Sequence, residues 1–360
     1  MHVDVSSKVP YASLRPGDPC PWVSQQAAAV DSMAGRYIVL CFYGSAAQPR
    51  GRAAIDAMLR HRNLFDDQRY CFFGVCVDPA DRTERRVQDS HSGVQFLWDY
   101  DTAVSRQYGA LPREASAKGP VAYRLFWVIV DPTLHVLATF PFSTVDDSHE
   151  TIFAYLSRLP APEDFAGFEI PAPILILPNV FELELCRQLI GLYDADGGRE
   201  TGVMRNDLAV VDASTKRRKD CKIVDQDIIQ GIQRRIMRRV APEIEKLFFM
   251  KTPYMERYIV GCYAAEDAGH FKPHRDNTSS TTAHRRFALS INLNSDFDGG
   301  ELRFPEYSRR GYKAPTGWAV VFPCAILHRV MTVTRGRRYA FLPFVYDDEG
   351  AKILAAATSR

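Results

Sequence analysis

The chain has 360 residues, enough for two domains or slightly more, and its 46% hydrophobic and 24% charged content is that of a soluble globular protein. A net charge of +2 offers no bulk electrostatic case for nucleic acid or a membrane surface. The opening Met1-His2-Val3-Asp4-Val5-Ser6-Ser7-Lys8 lacks the apolar core of a signal peptide. The longest apolar runs, Ile38 to Tyr43 and Leu125 to Val130, are far too short to cross a bilayer, so a cytoplasmic protein is expected.

In chain order, the first half alternates strand and helix patterns. Tyr37 to Tyr43 is a strand-like apolar run, Gly51 to Phe65 has helical spacing, and Tyr70 to Val77 is a second strand ending at Asp78-Pro79. A helix is expected over Thr83 to Ser90, a short strand over Val94 to Trp98 and a helix over Val104 to Tyr108. Arg124 to Val130 and Val136 to Phe140 read as a hairpin, and His149 to Leu159 as a closing helix. Such alternation predicts a mixed sheet flanked by helices, an α/β domain over residues 1–160.

Four prolines between Leu159 and Pro173 oppose helix and internal strand, so residues 161–173 are expected to form a stiff linker. The second domain, 174–360, begins with a strand at Ile174 to Leu177 and a helix from Glu182 to Tyr193. Residues 214–240 carry nine basic side chains against three aspartates. Ile228, Ile229, Ile232, Ile236 and Val240 recur at helical spacing there, so the basic residues are expected on the solvated face of a core-packed helix. The alternative, a dock for an acidic peptide or nucleic acid, lacks any accompanying nucleic-acid motif.

The chemistry concentrates further on. His274-Arg275-Asp276 places two potential ligands two residues apart, where an extended chain points them the same way. With His328 from a distant strand, two imidazoles and one carboxylate would hold iron(II) on one face and leave positions open for a cosubstrate and oxygen. Arg338 follows ten positions after His328, and its guanidinium suits a carboxylate. Arg337 is adjacent, so strand alternation allows only one of the two to face a pocket. Asn277 to Arg286 is polar enough for a mobile loop at the site's mouth, and His270 and His284 are read as spare histidines outside the ligand set. The eight cysteines form no C-x-x-C pair and are read as buried, reduced thiols.

The run from Tyr258-Ile259-Val260-Gly261-Cys262-Tyr263 through Gly269 to Asn277, Phe287 to Asn294, Asp298 to Pro305, Gly317 to Pro323 and Thr334 to Phe341 resembles the prolyl 4-hydroxylase-like group of 2-oxoglutarate- and iron(II)-dependent oxygenases. The resemblance covers about residues 174 to 347. It implies a double-stranded β-helix (jelly-roll) domain with supporting helices. It also implies Fe(II) held by His274, Asp276 and His328, 2-oxoglutarate bound through Arg338 with Tyr263 nearby, and O2 as co-reactant. Ascorbate is a candidate reductant. Asn292 stands about where some relatives have a second tyrosine against the cosubstrate. The implied reaction hydroxylates a C–H bond of a peptidyl (prolyl among the options) or small-metabolite substrate and releases succinate and CO2. A nucleobase demethylase, resting on the basic segment, and a non-catalytic scaffold are the alternatives.

The first half resembles the peroxiredoxin branch of the thioredoxin fold over about residues 10 to 158, on Pro16 to Trp22, Tyr37 to Gly44 and Phe73 to Asp78. In that family the attacking cysteine stands three residues after a Thr or Ser in the loop after the first core strand. Here that stretch is Ser45-Ala46-Ala47-Gln48, and glutamine has no thiolate. The resemblance therefore implies the fold without the peroxidase chemistry, which also opposes a thiol peroxidase with an appended domain. Docking, substrate presentation and homodimer formation remain as uses.

Overall fold

Tyr37–Gly44 (β1) is apolar almost throughout, and all eight residues are buried. A run of that kind needs cover on both faces. In the computed structural model, which describes residues 11–21, 30–90, 93–114, 121–143, 149–205 and 208–358, β1 is the central strand of five. Trp22 and the opening Met1 to Lys8 lie outside the described residues. The others are β2 (Tyr70–Cys76), β3 (Val94–Trp98), β4 (Phe126–Val130) and β5 (Val136–Pro141), in the order β3-β2-β1-β4-β5. β1 pairs parallel with β2 and antiparallel with β4. Tyr37, Val39, Cys41 and Tyr43 pack with α1 (Pro49–Arg60) and a C-terminal helix (Glu150–Leu156), while Ile38, Leu40 and Phe42 pack with the helix Ala103–Tyr108 on the other face.

One expected helix is displaced. The turn of helix after β2 is Pro79–Thr83, not Thr83 to Ser90. Asp78 caps it by accepting from Ala80 N, Pro79 fits the first turn, and Arg85 at φ 55° turns the chain out of helix.

By contact the chain divides into two units, Met1–Ile170 and Pro171–Arg360. Phe165 packs on the core of the first unit. No helix among the described residues is long and apolar enough to cross a membrane.

The second unit is built on antiparallel strands. Its larger sheet runs Tyr254–Glu256, Phe344–Tyr346, Phe287–Asn292, Arg337–Phe341, Ile259–Ala264, Lys219–Lys222, Arg199–Glu200, with Ala319–Pro323 joining Phe287–Asn292 to Leu175–Leu177. The smaller sheet runs Lys216–Arg217, His270–His274, His328–Val330, Leu302–Arg303, Gly311–Tyr312. Alternation along the larger sheet sorts its two faces. Val260, Cys262, Phe287, Leu289, Ile291, Tyr339 and Phe341 pack with helices Leu183–Asp196, Gln226–Arg239 and Ala241–Phe248. Tyr263, Ala288 and Phe344 face the opposite way and pack with Leu302, Phe304 and Val330 of the smaller sheet's side. Two packed antiparallel sheets with helices outside one of them are the jelly-roll arrangement.

The basic segment divides accordingly. Ile232 and Ile236 of the helix Gln226–Arg239 are buried, as its spacing predicts. Lys216 and Arg218, however, belong to the strand region before it, and both are buried. They do not lie on a solvated helical face. The reason is a tertiary one: Asp220 and Thr201 supply partners that local sequence does not reveal.

Candidate active site

His274 and His328 are direct partners across the strand pair His270–His274 and His328–Val330. Asp276, just past the first strand, is held by a backbone bond from its N–H to Cys324 O. One ligand atom from each of the three residues falls within 4.8 Å of the others. Asp276 Oδ1 lies 3.6 Å from His274 Nε2, and Asp276 Oδ2 lies 3.3 Å from His328 Nε2. Donors on one face of an octahedral ion, each about 2.1 Å from it, stand about 3 Å apart, so small side-chain adjustments suffice to close the set on one metal.

The tautomers suit the task. His274 Nδ1–H donates to Lys272 O at 2.8 Å and His328 Nδ1–H to Ile326 O at 3.2 Å. Each Nε2 keeps its lone pair for a metal. Phe271 stacks on the His274 ring with centroids 3.5 Å apart, and Phe322 tilts against His328 at 4.6 Å. Burial, with His328 alongside, pulls His274 down to about 3. Burial pushes the Asp276 carboxyl up, but the imidazoles of His328 and His274 outweigh it and hold it below the ordinary carboxylate range. A neutral imidazole and an ionised carboxylate are the forms that ligate.

Arg275, between the two ligands in sequence, points away from them. Its guanidinium bonds Ala325 O and lies 2.5 Å from Glu306 Oε1, which also accepts from Leu327 N–H. This pair pins the backbone just before His328. Nothing in the spacing of the motif points to Glu306, which stands 22 residues from His328 in sequence.

Arg338 faces the same cleft and is 3% exposed. Its Nε donates to Asn292 Oδ1 at 3.0 Å and its Nη2 to Ser290 Oγ at 2.7 Å, while Nη1 has no hydrogen-bond partner among the described residues. A buried guanidinium N–H without an acceptor is costly, and a carboxylate oxygen would satisfy it. Asn292 is itself oriented by donating to Ala314 O at 2.7 Å. The position where some relatives carry tyrosine therefore serves here to hold Arg338. Gly300, at φ +67°, leaves room beside it: a Cβ there would stand 3.2 Å from Arg338 Cδ and 2.9 Å from Val333 Cγ2. Arg337 lies on the other face of the strand, exposed and paired with Glu266.

Tyr263 is buried beneath two guanidinium groups, with Arg338 5.4 Å and Arg218 5.6 Å from its ring centroid. Its hydroxyl accepts from Arg218 Nη1 at 3.1 Å. Arg218 is fixed by both Asp220 oxygens, at 2.6 and 2.9 Å, and reaches the cleft across Gly261, where a Cβ would lie 2.9 Å from Arg218 Cδ. Arg218 and Arg257 line the cleft, with Asp220 beside both, and the sequence reading missed that placement. The one available signal was the strand-parity spacing of Arg218 and Asp220, hidden inside a lysine- and arginine-rich run. The spare histidines sit elsewhere: His270 Nδ1–H donates to Ala268 O, and buried His284 lies 3.1 Å from Glu256.

In the first unit, Gln48 is the N-cap position of α1, with Pro49 in the first turn. Cys41 is fully buried in β1, and burial raises its thiol well above the ordinary range.

Residues 258–346 match the 2OG-Fe(II) oxygenase superfamily, and residues 8–136 match the AhpC/TSA family. The second unit is a 2OG-Fe(II) oxygenase domain, of a class that works with iron(II), 2-oxoglutarate and dioxygen; the first is an AhpC/TSA domain of thioredoxin fold. A PKHD-type hydroxylase from Synechococcus sp. (strain JA-2-3B'a(2-13)) is 26% identical over 187 residues, 48% of this chain and 77% of that protein. Another PKHD-type hydroxylase, from Polaromonas sp., is 28% identical over 183 residues, 46% of this chain and 75% of its own length. A solved prolyl hydroxylase from Trichoplax adhaerens, in complex with a hypoxia inducible factor peptide fragment, is similar over 51% of this chain and 86% of its own at 16% identity and TM-score 0.40.

Proposed function

We propose that this protein is a 2-oxoglutarate-dependent hydroxylase acting on a peptide or protein segment, with prolyl residues among the targets. The observation that carries this reading is the joint presence, in one cleft, of the His274–Asp276–His328 cluster and the unsatisfied Nη1 of Arg338. The chemistry of the donor set fits iron(II), and His274, Asp276 and His328 would hold it. With 2-oxoglutarate and dioxygen, that centre supplies oxidation of a C–H bond to C–OH, the keto acid being split to succinate and carbon dioxide. Arg338 would take the distal carboxylate, presented by Ser290 and Asn292. Tyr263 would flank the cosubstrate with its hydroxyl already oriented by Arg218. Phe322, Leu342 and Phe344 line the cleft as apolar walls, suited to an unactivated hydrocarbon group and to keeping water out.

The nucleobase reading is left with only the exposed Arg234 and Arg238 of the basic helix. Arg235 and Arg239 of that helix are both engaged by Glu182. The direct test is anaerobic addition of iron(II) and 2-oxoglutarate to the full chain. A weak visible charge-transfer band that needs both, and that is lost in His274→Ala and His328→Ala, is expected. A band that persists in both variants would overturn the ligand assignment.

A further inference from the structure

Two arginines that line the cleft, Arg257 and Arg338, have no hydrogen bond to a carboxylate among the described residues. Arg218 is matched by both oxygens of Asp220, Arg285 donates to Glu256 at 2.6 Å, and Arg338 is reserved for the cosubstrate in the reading above. Arg257 also lines the cleft, 28% exposed in its side chain. Its nearest carboxylate is Asp220 Oδ2 at 3.6 Å, outside hydrogen-bond distance. That oxygen already accepts from Arg218 at 2.9 Å and from Thr201 at 2.5 Å. No hydrogen bond engages the Arg257 guanidinium among the described residues; its other contact is the face of Phe344, 5.4 Å to the ring centroid.

Arg257 sits in the two-residue break between the strands Tyr254–Glu256 and Ile259–Ala264, at φ 68°. A non-glycine residue in the left-handed region is strained, and such strain concentrates where function uses it. Its electrostatic neighbours place it in the cleft. The charges that act on Arg257 are Arg218, Asp220, Arg285 and Asp276, whereas those on Arg338 are Tyr263, Arg218 and Glu301. Arg257 lines the same cleft as His274, Asp276, His328 and Arg338. Burial, together with Arg218, pulls its pKa down to about 10, so it remains a cation at neutral pH with its charge incompletely compensated.

We propose that Arg257 is the specificity residue of this oxygenase site and binds a carboxylate of the primary substrate, so that the group hydroxylated is delivered next to an acidic function. The inference rests on the hydroxylase reading above and deepens it. A guanidinium fork bonds both oxygens of a carboxylate, and the partly dry cleft strengthens that contact. The carboxylate has two sources: an acidic side chain close to the target residue in a peptide, or the free carboxylate of a small amino acid.

The test uses paired probes with the full-length iron-loaded protein. One set is capped heptapeptides with a central proline and Glu or Gln at each neighbouring position; the other is free amino acids, proline included, against their amides. Succinate release is measured for each. The acid of at least one pair is expected to exceed its amide twin by about tenfold or more in kcat/KM, as for loss of one partner of a desolvated charge pair. In Arg257→Gln the preference should fall to within about twofold, while Arg257→Lys keeps the charge and retains part of it. Preference in the peptide set alone identifies a side-chain carboxylate, and preference in the free acids alone a small-acid substrate. Equal use of acid and amide by the native protein, or response to neither, overturns the proposal. So does preference that survives in Arg257→Gln, or 2-oxoglutarate binding weakened about tenfold in that variant, which would assign Arg257 to the cosubstrate. Should Arg257→Gln fail to fold, the native acid–amide comparison and Arg257→Lys still decide. Absence of the iron–2-oxoglutarate band in the native protein is a separate failure, that of the hydroxylase reading itself.

Discussion

Replacing Arg338 with alanine isolates the contact on which cosubstrate binding depends. The side chain is 3% exposed, two of its donors are spent on Ser290 and Asn292, and Nη1 alone is unmatched. Truncating one partner of a buried, charge-assisted contact costs about 2–5 kcal/mol. At about 1.4 kcal/mol per tenfold, 2-oxoglutarate binding should weaken roughly 30- to several-thousand-fold. The variant also strands Asn292 Oδ1 and Ser290 Oγ, an added stability cost of about 1–3 kcal/mol, so folding is checked by circular dichroism. The assay is anaerobic titration of the iron-loaded protein with 2-oxoglutarate, followed by the charge-transfer band, with iron content measured in parallel. Iron binding should persist, because the ligands His274, Asp276 and His328 are untouched. Arg337→Ala is the control. That side chain is 55% exposed and paired with Glu266, and surface pairs of this kind contribute only about 0–1 kcal/mol. If Arg337→Ala weakens 2-oxoglutarate and Arg338→Ala does not, the assignment of the pocket face of this strand is refuted.

Glu306→Gln should raise the iron dissociation constant about 10- to 100-fold, the usual size for losing a group that orients a ligand; equilibrium dialysis with iron(II) measures it, and native affinity would deny Glu306 that positioning role. For Asp220, burial pushes the carboxyl up, but Arg218, Arg257 and Lys216 outweigh it and leave it at about 2, below the ordinary 3.8. The sign follows: its contribution to stability is complete above the ordinary value and is lost as pH falls toward about 2. Asp220→Asn should flatten that acid limb in denaturant melts of the full chain and lower neutral-pH stability by about 3–5 kcal/mol by stranding buried Arg218. Limbs of equal slope would contradict it. The full chain should consume no hydroperoxide with thiol reductants; consumption that disappears in Cys41→Ser would reverse the reading of the first unit.

The class of both units was legible in the sequence through the resemblance of their motifs to known families, and the motifs themselves are local. Strand alternation, a His-x-Asp pair and an arginine ten residues after His328 are fixed by covalent spacing and the two-residue period of an extended chain. The same period separates Arg338 from Arg337, with no tertiary information. The resemblance to the peroxiredoxin branch put Gln48 where a peroxidatic cysteine would stand. The helix over Pro79–Thr83 was misplaced because an aspartate cap and a proline outweighed the apolar spacing downstream. Only the tertiary structure decided how the site is supported and charged. Lys216 and Arg218 look like members of a solvated basic face until Thr201 and Asp220 are brought against them. Glu306 reaches the backbone before His328 only because the smaller sheet folds its loops together. Arg257 becomes distinctive only once the oxygens of Asp220 are seen to be taken by Arg218 and Thr201. Burial and pairing of charge depend on contacts far apart in sequence, and those contacts decide whether an arginine is a solvated surface group or a binding group.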